Sequence, residues 1–439
     1  MYGQIIRFAG PVIISQLGHV VMGMVDLYFL GQLNATYLAA GILATQIHFV
    51  ALVFCMGFSY VLTPWIQKYK LQNNGLWKIQ TQFAVFTGLF FSVLMLLITP
   101  LGVLVFSYLQ QPQDVIILAK PFLWTLQWSL FPLILFFSCK QAAEAQGNTT
   151  TALWISLLGN SINLIINPLL IFGVLSIEGF GYMGSAYATL ASRLIMAVAF
   201  IIVLKPFQKS TTVAKTSLFS FQTVKDYLIP GWYTAWQITF ELTAFTAAGL
   251  MCGALGKTIL DAHGLVLSWA SCSFMCAQGI SAAGTYYVSG FVAKKDILQL
   301  QAFIRKQILL VLFIMIGFAV LFISLKSYVP FLFTNDAAVA KQAAALMVIA
   351  AAFQCFDGMQ VTLSGILRGL LDTQWPARLT FIGYWTISIP LSYYFGFILN
   401  YNAMGIWIGL LFGLCFMALS LFFRLRIQLN KLKDKAILN

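Results

Sequence analysis

Charge is what this chain has least of. Charged residues fill only 8% of its 439 positions, where a soluble domain carries about 25%. That is too little polar surface to clothe a water-soluble globule of this length. Acidic residues are the scarcer sign, 12 against 25 Lys and Arg. There are three histidines, and the seven cysteines form no CxxC pair. Cys55, Cys139, Cys252, Cys272, Cys276, Cys355 and Cys415 therefore read as small buried hydrophobes rather than disulfides or metal ligands. Extended polar stretches are missing too, with 205–227 the one long interruption. No cleavable leader is expected, because the first apolar run starts a few residues after Met1 and is too long for a signal h-region.

What is present is apolar length. Hydrophobic residues make up 60% of the chain and the mean hydropathy is +0.88. Spanning ~30 Å of hydrocarbon takes about 20 such residues. Twelve runs qualify, at 8–33, 37–66, 80–108, 117–145, 151–174, 183–204, 228–253, 259–292, 303–325, 338–369, 376–399 and 404–423. The reading is an all-α integral membrane protein.

The net charge of +13 is topological. With the N-terminus cytoplasmic, one set of span ends carries Arg7, Lys68, Lys70, Lys78, Lys140, Lys205, Lys225, Lys294, Arg305, Arg368, Arg378 and the tail from Arg424. The other set carries Lys120, Lys257, Lys326 and Lys341. This positive-inside asymmetry puts both termini in the cytoplasm, and the inner membrane is the expected location. It gives no reason to expect nucleic acid as a partner.

The chain also matches itself at one spacing. A shift of 222 residues pairs Gly31 with Gly253, Thr36 with Thr258, Gly57 with Gly279, Ser59 with Ser281, Thr63 with Thr285 and Pro168 with Pro390. We expect two six-helix lobes, 1–204 and 228–425, joined by a cytoplasmic linker (205–227) and followed by a basic tail (426–439). Six is even, so the repeat is parallel, with a pseudo-twofold axis along the membrane normal. Two facing bundles suit alternating access.

Against this background three acids stand out. Asp26, Glu241 and Asp357 each fall inside an apolar run, where an ionised group costs at least ~2.5 kcal/mol. His19 lies two turns before Asp26 on the same stripe. Asn163 and Asn167 are spaced i, i+4 before Pro168; with a carboxylate they offer the hard oxygens a small cation prefers, or they glue helices together. Gln237 and Glu241 form one polar stripe, and Gln354, Asp357, Gln360 and Ser364 form another. Glu241 and Asp357 are the candidates for proton exchange. Arg193 sits near mid-membrane, either ion-paired with Asp26 or packed for structure alone. Glu144 is read as part of a turn, and Asn34 begins a glycosylation sequon close to the membrane. Met22, Met24, Trp236, Phe240, Phe356 and Met359 are adaptable contacts for bulky cations or ordinary packing.

The run from Pro11 through Gln16 to Asp26 and Gly31, FELTAF around Glu241, the Asp261–Gly284 stretch and FQCFDGMQVTLSGILRG around Asp357 together resemble the multidrug and toxic compound extrusion (MATE) family, in particular its NorM-like branch. The resemblance covers essentially the whole chain. It implies a V-shaped pair of six-helix lobes around a central cleft, exporting organic cations or drugs in exchange for inward Na⁺ or H⁺. It implies an N-lobe cation site of Asp26, Asn163, Asn167 and Thr189, with Asp26, Asn163 and Asn167 the metal ligands if Na⁺ is the coupling ion. The C-lobe coupling pair would be Glu241 and Asp357. His19, Gln237, Gln354, Gln360 and Arg193 would be polar cleft neighbours, Arg193 lying outside the family pattern. No enzymatic activity and no cofactor beyond the coupling ion are expected. The expected partners are a small-molecule cation and the bilayer, and the expected state is a monomer. A lipid-linked oligosaccharide flippase of the same superfamily, an intramembrane enzyme or a channel are the rivals. The first wants a more cationic cleft, the second a cluster of acidic or His/Arg motifs, and the third is disfavoured by the even duplication.

Overall fold

The computed structural model describes residues 1–70, 76–108, 112–174, 177–208, 221–334 and 336–437. In chain order the elements are α1 (Tyr2–Leu33), α2 (Ala35–Tyr60), α3 (Leu62–Lys70), α4 (Leu76–Tyr108), α5 (Gln113–Trp128), α6 (Leu130–Ala145) and α7 (Thr149–Phe172). A two-residue antiparallel ribbon follows, β1 (Gly173–Val174) with β2 (Ile177–Glu178), then α8 (Met183–Leu204). The chain continues with α9 (Phe221–Ala254), α10 (Lys257–Ala293), α11 (Ile297–Leu325), α12 (Val329–Phe333) and α13 (Ala337–Gly369). Last come α14 (Gln374–Phe381), a π-helical stretch Ile382–Ser388, α15 (Ile389–Tyr393), a second π stretch Tyr394–Ile398, and α16 (Asn402–Ile437).

Ten helical stretches among the described residues are long and apolar enough to cross a membrane, α2–α3 and α5–α6 each counting as one. α9 and the run 374–398 hold the seventh and eleventh places read from the sequence, which makes twelve crossings. The sequence boundaries of the linker and tail overlap residues 209–220 and 438–439, which lie outside the described set.

Proline chemistry explains the interruptions. Pro64 has no N–H for the carbonyl of Tyr60, where α2 ends, and Pro132 has none for Trp128, where α5 ends. The chain turns briefly at Val61 and Ser129 and then resumes the same crossing. Pro390 likewise leaves Thr386 without its partner, and the preceding turns are wound as π rather than α helix. Four helices begin on an Asn or Asp cap. The side chain of Asn34 accepts from the Thr36 N–H, Asn148 from Thr151, Asp296 from Gln299, and Asp336 from Ala338 and Val339. Asn34, the sequon asparagine, is thus part of the backbone turn between α1 and α2.

The chain forms two compact units, Ile14–Ala235 (the N-terminal unit) and Trp236–Asn439 with Met1–Ile13 (the C-terminal unit). α1 and α9 each give residues to both. Each unit holds two apolar clusters. Those of the N-terminal unit centre on Leu133, Phe136 and Phe200 and on Leu30, Phe122 and Leu126. Those of the C-terminal unit centre on Phe8, Phe303 and Leu367 and on Phe353, Tyr384 and Trp407. Large apolar side chains such as Phe86, Phe90, Leu97, Phe313 and Val320 are exposed, as lipid contact requires.

The duplication is visible in bonding. Thr63 Oγ1 donates to the carbonyl of Gln141 at 3.1 Å, and its mate Thr285 donates to that of Gly365 at 2.9 Å. The turn after α6 closes with Asn148 N to Ala143 O at 2.9 Å, and the turn after α13 closes with Asp372 N to Leu367 O at 2.9 Å. Counted on these bonds, Gln141 corresponds to Gly365 and Glu144 to Arg368.

Candidate functional site

In the N-terminal unit, α1, α7 and α8 bring four side chains to one point. Asn163 and Asn167 lie one turn apart on α7 and both donate from Nδ2 to Asp26 Oδ1, at 3.2 and 2.5 Å. Thr189 on α8 donates from Oγ1 to Asp26 Oδ2 at 2.5 Å. Asn163 Nδ2 also approaches Thr189 Oγ1 at 3.4 Å. Three donors on one carboxylate compensate a charge that hydrocarbon would not tolerate alone. Both asparagines are 0% exposed and Thr189 is buried, while Asp26 is only half-buried. The Oδ1 atoms of both asparagines have no partner.

Arg193 follows one turn after Thr189 on α8. It does not ion-pair with Asp26. Nη1 of Arg193 instead donates to Ser129 Oγ at 2.5 Å and lies 2.9 Å from His48 Nε2. A guanidinium has no acceptor, so His48 receives this bond through a free ring lone pair. Neither His48 nor Ser129 was singled out in the sequence. The signal for Ser129 is Pro132 three residues on, which interrupts the helix there; the Ser129 hydroxyl donates to the Leu126 carbonyl at 2.6 Å and accepts from Arg193. His19 makes no hydrogen bond to Asp26. It packs against the rings of Phe136 and Phe137 with Nε2 unpartnered.

Two residues read as span ends are in fact interior. Lys140 is 1% exposed and donates to Gln16 Oε1 at 3.2 Å. Glu144, one turn later on α6, is buried and accepts from Gln141 Nε2 at 3.0 Å. Glu144 is therefore an interior carboxylate and not a solvated turn residue.

In the C-terminal unit, Glu241 on α9 and Asp357 on α13 are both buried. Gln360 Nε2 donates to Glu241 Oε1 at 3.3 Å, and Tyr384 Oη donates to Gln360 Oε1 at 3.3 Å. Oδ1 of Asp357 has no partner. Gln237 donates to Ser364 Oγ at 2.9 Å, and Ser273 donates to Gln354. The two polar stripes read from the sequence meet. Tyr384, which the sequence reading missed, lies in the π-helical turn, and an α-helical periodicity would not have aimed it at Gln360. Among the described residues no three His, Cys, Asp or Glu side chains gather as a metal cluster.

Acids held inside a polytopic helical fold are what a membrane transporter requires. The MatE family profile matches residues 11–169 and 235–394, most of both halves. A protein described as probable multidrug resistance protein NorM from Pseudomonas putida is 30% identical, over 98% of this chain and 96% of that one. One of the same description from Rhizobium meliloti is 29% identical over 94% and 91%. Among solved structures, the eukaryotic MATE transporter AtDTX14 superimposes with a TM-score of 0.88 at 18% identity, covering 99% of this chain and 98% of that one. A MATE family transporter in an outward-facing conformation gives 0.86. The chain belongs to the MatE family and has its fold, twelve transmembrane helices in two lobes.

Proposed function

We propose that this protein is a secondary active exporter that expels small organic cations or drugs in exchange for an inward-moving cation. The observation that carries this reading is the pair of separate interior acid sites, Asp26 under its three donors and Glu241 with Asp357. Supporting it, Asp357 keeps a carboxylate oxygen without a partner, and Asp26 is the half-buried residue at the centre of a buried cradle. The naming of its relatives as multidrug resistance proteins supports the substrate class. The lobes are 1–204 and 228–425 about the linker 205–227, with both termini cytoplasmic in the inner membrane and the monomer as the working unit.

Exchange follows from differential affinity. The inward cation binds the acid sites more tightly in one lobe arrangement and shifts the population towards it; equal affinity in both would drive nothing. Ethidium efflux from cells or inside-out vesicles, with pH and Na⁺ gradients imposed separately, tests the reading. Efflux that follows one of the gradients is expected. Efflux indifferent to both, or dependent on ATP, would refute it.

A further inference from the structure

In the C-terminal unit the start of α14 and the late turns of α16 gather charge around one indole. The two helices run side by side: a Cβ on Gly383, in the π stretch that continues α14, would meet the Met417 side chain of α16 at 2.6 Å. Trp375 stands in the crevice between them, flanked by two guanidiniums. That of Arg378, one turn on along α14, lies 5.6 Å from the ring centroid, and that of Arg424 on α16 lies 5.0 Å from it. Arg424 has its own acid. Its Nε donates to Asp372 Oδ2 at 2.6 Å, and Gln428 Nε2 donates to the same oxygen at 2.7 Å. Arg378 is exposed and enters no ion pair among the described residues. Two arginines against one aspartate leave the crevice with a net positive charge beside an aromatic ring.

What this charge faces follows from the neighbouring side chains. Trp375, Arg378, Phe381, Ile382 and Trp385 recur at helical spacing and are all exposed. On α16, Phe412, Leu419 and Phe423 are exposed as well. Apolar stripes of this kind on a membrane crossing lie against acyl chains, and an indole with arginines at their end marks the headgroup level. The duplicated scaffold supplies a control. With the turns after α6 and α13 in register, Trp375 and Arg378 correspond to Thr151 and Trp154. The N-terminal unit thus builds the same turn without the cation, so the fold itself does not call for Arg378.

We propose that the crevice between α14 and α16 binds the phosphate of an anionic phospholipid of the cytoplasmic leaflet, with Arg378 as the recognising charge and Arg424 beside it. A guanidinium presents a planar fork of donors that matches phosphate oxygens. An anionic headgroup neutralises the surplus charge of the crevice, which a zwitterionic one does not. The acyl chains lie along the exposed stripe that continues through Phe381 and Phe423. The site goes beyond the exporter reading and does not depend on it: lipid binding is measured without transport, so either can fail alone.

The experiment is native mass spectrometry of the delipidated full-length protein in a non-ionic detergent, titrated with palmitoyl-oleoyl phosphatidylglycerol or with the matching phosphatidylcholine. Wild type is expected to bind the anionic lipid about fivefold or more tighter, the scale of one interfacial cation. Arg378→Gln should lose about that factor for phosphatidylglycerol and leave phosphatidylcholine unchanged, while Arg378→Lys should keep most of the preference. Lys294→Gln removes another exposed cation, at the end of α10, and should change nothing. Equal affinity of wild type for the two lipids would overturn the proposal without recourse to any variant. So would a loss in Lys294→Gln as large as that in Arg378→Gln, which would mean a diffuse surface field and not a site. Displacement of the lipid by millimolar inorganic phosphate would assign the crevice to a free anion and overturn it too.

Discussion

The two units carry the same scaffold and different chemistry. Thr63 and Thr285 make the same bond to the same turn of the facing helix, and the turns after α6 and α13 close with matching backbone bonds. On that common frame one unit places Gln141 and Glu144 where the other has Gly365 and Arg368. The N-terminal unit surrounds Asp26 with three donors and buries a second acid, Glu144, one turn from Lys140 on α6. The C-terminal unit has two acids, one amide donor to Glu241, and a carboxylate oxygen on Asp357 with no partner. Backbone geometry has survived the duplication because it builds the bundle. The interior polar residues have been free to differ because each unit handles charge in its own way.

The comparison is broken most severely at the acids. Asp357→Asn or Glu241→Gln should lower gradient-driven ethidium efflux by about tenfold or more, the scale of a lost coupling energy of ~1–3 kcal/mol. Efflux at the wild-type level would remove that carboxylate from the mechanism. Next come the paired glycines. A Cβ at Gly57 would meet the backbone of Ala235 at 2.3 Å, whereas one at Gly279 would first meet a side-chain atom of Ile13 at 2.3 Å. Overpacking costs ~1–3 kcal/mol, so thermal unfolding in detergent should place Gly57→Ala at the upper end and Gly279→Ala below it. The reverse order would deny that the first contact is the more rigid. Thr63→Val and Thr285→Val each remove one hydroxyl and should cost about 1 kcal/mol apiece. A clearly unequal pair would argue against equivalent roles.

The smallest effect is at the periphery. Partial burial opposes ionisation of Asp226, but the bonds from Tyr69 and Lys68 outweigh it and hold the carboxyl below its ordinary range. The stability this group adds is complete above the ordinary carboxylate range. It is lost as pH falls through the depressed value. With Lys68 largely exposed, Lys68→Ala should cost no more than ~1 kcal/mol, read as a small shift in unfolding temperature at pH 7 that disappears in strong acid.

Much of this architecture is legible in the sequence because hydrocarbon imposes simple rules. Twelve apolar runs, one-sided basic ends and a 222-residue repeat need no tertiary knowledge, though the bonds after α6 and α13 pair residues 224 apart. The i, i+4 asparagines and the isolated Asp26 were legible for the same reason, since polar groups in a span must find each other. Thr189 came through family resemblance, as nothing in its spacing marks it. The partner of Arg193 was not legible. His48 lies 145 residues away, and which face of α2 meets α8 is set by packing. Tyr384 escaped because the π-helical turns before Pro390 shift the register on which a 3.6-residue period depends. Lys140 and Glu144 were misread because charge near a span end looks solvated until burial is known.

The claim on which the rest depends is that Asp26 carries the driving cation. Inside-out proteoliposomes containing the Asp26→Asn protein test it, with gradient-driven ethidium uptake and gradient-free ethidium counterflow measured side by side. The expected result is uptake reduced to the passive level with counterflow retained. Wild-type gradient-driven uptake by Asp26→Asn would contradict the account.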